Sequence, residues 1–183
     1  MNVVEPVRDP QKIEAMKKIL RADNLRDYVL FTLGINSGLR VSDLLRLKVG
    51  DVRGASRIRI REHKTGKLRN FPLSDTCIKA VREYCRANPD LDDGDWLFKS
   101  RKGGPLSRHQ AWRIISEAAA LAGVTDPIGP HSMRKTLGYQ AYSRGHDLAL
   151  VQKILNHGSP WVTLRYIGIT RDQLDNVHLS LNL

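Results

Sequence analysis

The sequence contains little cysteine, and this shortage already limits what the protein can be. Two cysteines, Cys77 and Cys85, occur in 183 residues, and they lie eight positions apart in a helical pattern. Two turns of helix separate them by about 12 Å, which is too far for a disulfide bond. A disulfide-stapled secreted domain is therefore excluded, and we expect two packed, free thiols in a reducing cytoplasm.

Long apolar runs and cofactor-binding motifs are also missing. No stretch of about 18 apolar residues occurs, so no transmembrane helix is predicted. Glu5, Arg8 and Asp9 interrupt the N-terminus before any apolar segment, so no signal peptide is predicted. A phosphate-binding loop is absent because Leu68 follows the glycine–lysine pair at 66–67, and no zinc motif is present. We expect neither a bound cofactor nor a metal.

Acidic residues are scarce relative to basic ones. The chain has 30 lysines and arginines against 19 aspartates and glutamates, which gives a formal net charge of +11. Hydrophobic residues make up 41% of the chain, as in an ordinary globular domain. The charge favours a polyanionic partner, above all nucleic acid, although a basic surface that maintains solubility is the alternative.

Apolar residues recur at helical spacing over most of the chain. Asp9 followed by Pro10 is typical of a helix N-terminus, and Asn24 is typical of the N-cap of a second helix that stops at Gly38. Further helices are predicted over residues 41–47, 75–87, 107–122, from 130 to a break at 145, from 147 to 156, from 160 past 166, and over 171–181.

The middle of the chain has a different period. Residues 57–61 alternate arginine with isoleucine, which is typical of a strand. Residues 63–67 form a predicted turn with Gly66 at positive φ, and 68–73 form the return strand. We therefore predict an α+β, mainly α fold with a small antiparallel sheet, in a single domain over residues 1–183.

The last third of the chain contains an arginine, two histidines and a tyrosine whose side chains together suit the handling of a phosphate. They are His131, Arg134, His157 and Tyr166. His131 and Arg134 are three positions apart, so they share a helix face. Pro130 places them in a first turn, where free N–H groups and the helix dipole favour an anion. Either residue alone is more often a surface or capping residue.

Two upstream segments offer further cations. Arg40 follows a helix end, from which its guanidinium could point into a cleft, and Asp43 could fix it through an ion pair or simply cap the next helix. Lys64 lies at the hairpin tip, with Lys67 and Arg69 close behind. A lysine there could enter a DNA groove and protonate a leaving alkoxide, or it could serve solubility alone.

Tyr166 is the tyrosine that best fits a nucleophile. It lies on a short predicted helix close in sequence to His157. The other tyrosines fall in apolar helical patterns or beside packing positions; they are Tyr28, Tyr84, Tyr139 and Tyr142.

Together these residues resemble the catalytic boxes of the tyrosine recombinases, the phage integrase family. The resemblance covers residues 9–175 and fills all six catalytic positions in the family's order. The matching strings are Ser37-Gly38-Leu39-Arg40 with Asp43, Lys64-Thr65-Gly66, His131-Ser132-Met133-Arg134, Leu155-Asn156-His157, and Tyr166.

The resemblance implies a role for each group. Arg40 and Arg134 would clamp the scissile phosphate, and His157 would hydrogen-bond a non-bridging oxygen. Asp43 would support the site from behind.

The remaining residues would make and break bonds. Tyr166 would attack in line and leave a 3′-phosphotyrosyl link, while His131 would assist proton transfer. Lys64 would protonate the departing 5′-oxygen, and Lys67 and Arg69 would bind DNA. The resemblance also implies a three-stranded antiparallel sheet.

The sequence departs from the family pattern at three points. Asn156 replaces a common glycine, and this replacement raises the question of whether the backbone has a positive φ at this position. Met133 replaces a common leucine. Typical members also carry a separate N-terminal helical domain. The first helix here begins near residue 9, so we expect a short natural recombinase, like the Fim-type enzymes, or a segment of a longer one.

Partners follow from the resemblance as expectations. They are double-stranded DNA, a homotetramer on DNA and accessory DNA-bending proteins, at the nucleoid of a prokaryote or in a phage. The tail over 171–183 would be exchanged between subunits or packed on its own domain. Alternatives are DNA relaxation of the type IB topoisomerase kind and a DNA-binding regulator that keeps the fold without catalysis.

Overall fold

The computed structural model describes residues 4–169 and 179–181 and is mainly helical. Its helices are α1 (Pro10–Asp23), α2 (Leu25–Ser37), α3 (Val41–Leu44), α4 (Asp75–Ala87), α5 (Arg108–Leu121), α6 (Pro130–Ser143), α7 (Leu148–Ile154) and α8 (Pro160–Ile167). A short 3₁₀ helix (Val49–Asp51) precedes the strands β1 (Arg57–Arg61) and β2 (Leu68–Pro72). The mainly helical prediction is confirmed.

The helix ends lie where the capping residues predict them. The Asp9 carboxylate accepts a hydrogen bond from the backbone N–H of Gln11 at 2.8 Å, with Pro10 at the first helical position. Asn24 caps α2 in the same way, and Gly38 ends it in the left-handed conformation with φ 63°. Such caps satisfy the free N–H groups of a first turn, which is why the sequence locates them well.

The helix predicted over residues 41–47 is shorter in the structure. It ends at Leu44, and the backbone N–H groups of Arg46 and Leu47 bond three residues back, to Asp43 and Leu44. Lys48 then forms an isolated antiparallel bridge with Trp96, which draws the chain out of the helix.

The predicted three-stranded sheet is wrong in its strand number. Within the described ranges the sheet has two antiparallel strands, with Arg57 opposite Pro72 and Arg61 opposite Leu68. After β2 the chain turns at once into α4, whose N-cap is Ser74. Residues 48, 96, 99 and 105 pair only through isolated bridges, so no further strand forms there.

The core is built around α2, which packs against α1, α4 and α6. Val29, Leu30, Phe31 and Leu33 on α2 are almost fully buried. The Met133 side chain lies against the backbone of Gly34, where an added Cβ would collide with its sulfur. This contact brings α6 close to α2 and fixes the residues that follow Met133.

A second apolar cluster supports the C-terminal helices. Val151, Leu155 and Ile167 are buried together, and Gly138 on α6 lets Leu155 and Ile167 approach its backbone. This cluster ties α7 and α8 to α6 and so determines where the short helix carrying Tyr166 lies.

In the part of the chain that the structure describes, no helix is both long enough and apolar enough to cross a membrane. Cys77 and Cys85 are free thiols, as predicted. The exchanged-tail prediction falls mainly on residues 170–178 and 182–183, which lie outside the described residues.

Candidate active site

The six residues predicted to be catalytic come from separate segments and line one cavity of about 660 Å³. The cavity is lined by Arg40, Val41, Ser42, His63, Lys64, Arg108, His131, Arg134, His157 and Tyr166. Sequence reasoning gave no role to four of these residues, namely Val41, Ser42, His63 and Arg108.

Arg134 lies in the wall formed by the start of α6 and is 3% exposed. Its guanidinium donates hydrogen bonds to the carbonyls of Gly38 and Leu155, which end α2 and α7. Burial lowers the pKa of Arg134 below its usual value. Among the described residues, Arg134 forms no ion pair with a carboxylate. Its charge is therefore fixed in position without being neutralised.

Arg40 is held differently, by a carboxylate. It precedes α3 and its Nη1 donates to Oε2 of Glu62 at 2.8 Å. Among the described residues Arg40 forms no ion pair with Asp43, so the first of the two roles considered for Asp43 is excluded. Asp43 is fully buried, and its Oδ1 accepts a hydrogen bond from the backbone N–H of His63 at 2.8 Å, which anchors the start of the hairpin turn.

Glu62 is a residue that sequence reasoning missed. Its side chain is fully buried, and its Oε2 also accepts hydrogen bonds from Thr65 Oγ1 at 2.7 Å and Asn156 Nδ2 at 3.2 Å. Burial alone would raise the pKa of Glu62, but the hydrogen bonds from Thr65 and Arg40 outweigh it and lower the pKa below its usual value.

A signal for Glu62 was present in the sequence. Ile58 and Ile60 face inward on β1, and the alternation of a strand places residue 62 on the same face. A carboxylate at an inward-facing position needs hydrogen-bond donors around it, which is unusual enough to mark a site.

The hairpin tip places Lys64 at the mouth of the cavity. Lys64 is exposed and makes no hydrogen bond or ion pair within the residues described. Lys67 is exposed too, with its Nζ 3.3 Å from Oδ1 of Asn156. The Arg69 guanidinium lies 3.4 Å from Oε1 of Glu62 and is only 14% exposed, so it has less freedom to reach DNA than Lys67.

His157 and Tyr166 are in contact. Their ring centroids are 4.8 Å apart with the planes at 76°. The Thr163 hydroxyl donates to the Ser159 carbonyl at 3.2 Å, and its oxygen lies within hydrogen-bond distance of His157 Nδ1, also at 3.2 Å. Burial, together with Arg134 and Arg40, lowers the pKa of His157 to about 4. The ring is therefore neutral in the free protein at neutral pH.

His131 lies in the first turn of α6, at the rim of the cavity. Burial lowers its pKa, and the neighbouring charges of Arg134 and Arg108 lower it further. At neutral pH the imidazole is therefore uncharged and able to accept a proton.

Tyr166 is half-buried on α8, and burial raises its pKa although Arg134 beside it acts in the opposite direction. The ammonium of Lys135 lies 5.4 Å from the centre of its ring. Lys135 is 8% exposed, and it was not predicted. The phenol is thus protonated in the free protein, with cations on two sides.

Asn156 answers the question raised by its departure from glycine. Its φ is 49°, in the left-handed region, which asparagine tolerates better than most residues. Its side chain bonds to both Glu62 and Lys67, contacts that a glycine could not make. Among the described residues, no three histidines, cysteines, aspartates or glutamates form a group that could hold a metal ion.

Comparison with known proteins assigns the chain to a family. Residues 7–172 match the model of the phage integrase family. The chain is 45% identical over 173 residues to a probable integrase/recombinase, YoeC, of Bacillus subtilis (strain 168), covering 94% of this chain and 93% of that protein. It is 37% identical over 162 residues to the type 1 fimbriae regulatory protein FimE of Escherichia coli (strain K12), covering 85% and 82%.

Solved structures have the same fold. The XerA recombinase superposes with a TM-score of 0.79 at 25% identity, covering 100% of this chain and 66% of that one. The XerH site-specific recombinase in a post-cleavage complex with difH superposes with a TM-score of 0.72 at 23% identity, covering 92% and 49%, which is a likeness of fold alone. The chain therefore belongs to the phage integrase family.

Proposed function

We propose that the protein is a site-specific DNA recombinase that cleaves and rejoins DNA strands through a 3′-phosphotyrosine intermediate. One observation carries the proposal: Tyr166 shares a single cavity with the five other residues that were predicted to be catalytic, which are Arg40, Lys64, His131, Arg134 and His157. Family membership supports the same conclusion.

The two arginines form the phosphate clamp in this proposal. Arg134 and Arg40 stabilise the charge that builds on the non-bridging oxygens, a task that a metal ion performs in other enzymes. Arg134 already has its position set by two carbonyls, so its electrostatic stabilisation costs little reorganisation. His157, in its protonated form, donates a hydrogen bond to the same oxygens.

Bond formation and bond breaking are assigned to three other groups. The Tyr166 oxygen attacks phosphorus, the bond from phosphorus to the 5′-oxygen breaks, and the phenolic proton passes to neutral His131. Lys64 donates a proton to the 5′-oxygen as it departs. The phosphodiester is replaced by a phosphotyrosyl ester, so attack by a 5′-hydroxyl reverses the step without a nucleotide.

The partner in this proposal is double-stranded DNA, and strand exchange between two duplexes requires a tetramer. The net charge of +11 supports the first part, because release of counterions from the phosphate backbone favours binding by cations. Solved relatives crystallised with DNA include the XerH site-specific recombinase and the lambda integrase dimer.

A trapping experiment tests the proposal. The protein is incubated with a random-sequence pool of duplexes that each carry a nick. Where cleavage occurs close to the nick, the short strand with the new 5′-hydroxyl diffuses away, so religation fails and the covalent adduct accumulates. We expect an adduct on denaturing gels that survives EDTA and is absent for Tyr166→Phe. An adduct that persists in Tyr166→Phe, or that EDTA abolishes, would contradict the mechanism.

A further inference from the structure

Glu62 connects three segments of the cavity wall through one oxygen atom. The donors to Oε2 are the side chains of Arg40, Thr65 and Asn156. They come from the start of α3, from the hairpin turn, and from the loop between α7 and α8. No other contact described for these three side chains links all three segments.

Each donor is next to a group with a proposed role in cleavage. Arg40 is itself one arm of the phosphate clamp. Thr65 follows Lys64, and Asn156 precedes His157. Through these neighbours, the position of one carboxylate determines the relative positions of the clamp, the leaving-group acid and an imidazole.

Stability alone is a weak reason to bury this carboxylate. Removing an ion pair from water costs several kcal/mol per ion, and well-packed apolar replacements are often as stable or more stable. A buried charge of this kind is better explained by the unique arrangement that it enforces. Arg40 spends one of its five N–H donors on Glu62, which leaves the others for a phosphate.

We infer that Glu62 is a positioning residue for strand cleavage, which holds Arg40, the turn carrying Lys64 and the loop carrying His157 in one reactive arrangement. The inference rests on the proposed function. This inference goes beyond the proposed function, because Glu62 is buried and is assigned no contact with DNA. It acts only through the residues that it holds in place.

The test compares two variants that each raise the net charge by one. Glu62→Gln keeps the size of the side chain, but its NH₂ group would face N–H and O–H donors, so at least one of these loses its partner. Glu117→Gln is the control, because Glu117 is an exposed residue on α5 that lies 3.8 Å from Arg113. The substrate is the duplex recovered in the trapping experiment.

We expect Glu62→Gln to slow adduct formation at saturating protein by roughly 10–100-fold, as for loss of part of an electrostatic stabiliser. Its DNA affinity should remain equal to that of Glu117→Gln or exceed it, since no DNA contact is lost. A general defect of folding would lower affinity and rate together, and Glu62→Asp, which keeps the charge, should recover part of the rate.

A methylphosphonate at the cleavage point supplies a second readout. The neutral phosphorus group carries no charge for Arg40 to offset, so wild type and Glu62→Gln should differ less on this substrate than on the normal phosphate. Equal rates for both proteins on the normal phosphate would overturn the inference, as would a parallel loss of affinity. Absence of any adduct with wild type would instead overturn the proposed function.

Discussion

The two walls of the cavity hold their cations in opposite ways. On the α6 wall, Arg134 is 3% exposed and donates to two backbone carbonyls. On the hairpin wall, Arg40 is paired with Glu62, whereas Lys64 is exposed and has no partner within the described part of the chain. Among the described residues, the first wall holds an arginine with no carboxylate partner, while the second combines an arginine that is paired with a carboxylate and a lysine that is not.

This difference suits the two kinds of chemistry in the proposed reaction. A carbonyl fixes a guanidinium without cancelling its charge, so Arg134 can stabilise the additional negative charge that develops on the phosphate in the transition state. A leaving-group acid must approach the 5′-oxygen, give up a proton and withdraw, which an exposed lysine on a turn can do. Glu62 places the second wall against the first.

The largest expected effect concerns Arg134 on the α6 wall. Arg134→Lys should lower the rate of adduct formation by about 10²–10³, because an ammonium is a point charge that cannot bridge the carbonyls of Gly38 and Leu155 and also reach the phosphate. Single-turnover cleavage measures this rate. Arg108→Lys is the matched control at the same cavity and should change it only severalfold. Similar losses in both variants would break the distinction between fixed and free cations.

An intermediate effect concerns proton uptake by His157. The pKa of about 4 leaves this residue neutral in the free protein. A bound phosphate favours the imidazolium, so DNA binding takes up a proton and affinity rises as pH falls from about 7 to 5, by at most tenfold per pH unit.

Fluorescence anisotropy at constant salt measures this linkage. The pH dependence should be weaker in His157→Asn and unchanged in the control His109→Asn, because His109 lies on α5 outside the cavity and packs against Trp112. An identical pH dependence in wild type and His157→Asn would contradict the assignment.

The smallest expected effect concerns Asn156, whose side chain connects the loop between α7 and α8 to the hairpin. Asn156→Ala loses the side-chain hydrogen bonds to Glu62 and Lys67 and places an alanine at φ 49°. We therefore expect the free energy of unfolding to fall by about 1–2 kcal/mol. Thermal or urea denaturation measures this change. Asn156→Gly removes the backbone strain and should lose less stability. A glycine variant as unstable as the alanine variant would contradict the argument from φ.

The sequence predicted most of what depends on nearby residues. Asp9, Asn24 and Gly38 mark helix ends through contacts within a few positions, and the structure confirms them. The resemblance to a family brought the six predicted residues into one site, and all six line one cavity. The departure from glycine at Asn156 raised the question of a positive φ, and the structure answers it with a φ of 49°.

The failures concern contacts between residues far apart in the chain. An ion pair with Asp43, three positions away, was one of the two roles considered for that residue, but the partner of Arg40 is Glu62, 22 positions away. Asp43 instead holds the backbone of His63. Periodicity gives the inward direction of residue 62 but not the residues it meets, since these depend on how the hairpin packs against α3 and the loop at Asn156.

The division between the two walls can be tested most directly with a bridging phosphorothiolate, in which sulfur replaces the 5′-oxygen at the cleavage point. A thiolate leaves without a proton far more readily than an alkoxide, so this substrate needs no leaving-group acid. We predict that Lys64→Ala, slow on the normal duplex, recovers nearly the wild-type rate of adduct formation on the phosphorothiolate, while Arg134→Lys remains slow on both. Rescue of Arg134→Lys together with Lys64→Ala, or of neither, would contradict the assignment of the proton to Lys64 and of the anion to Arg134.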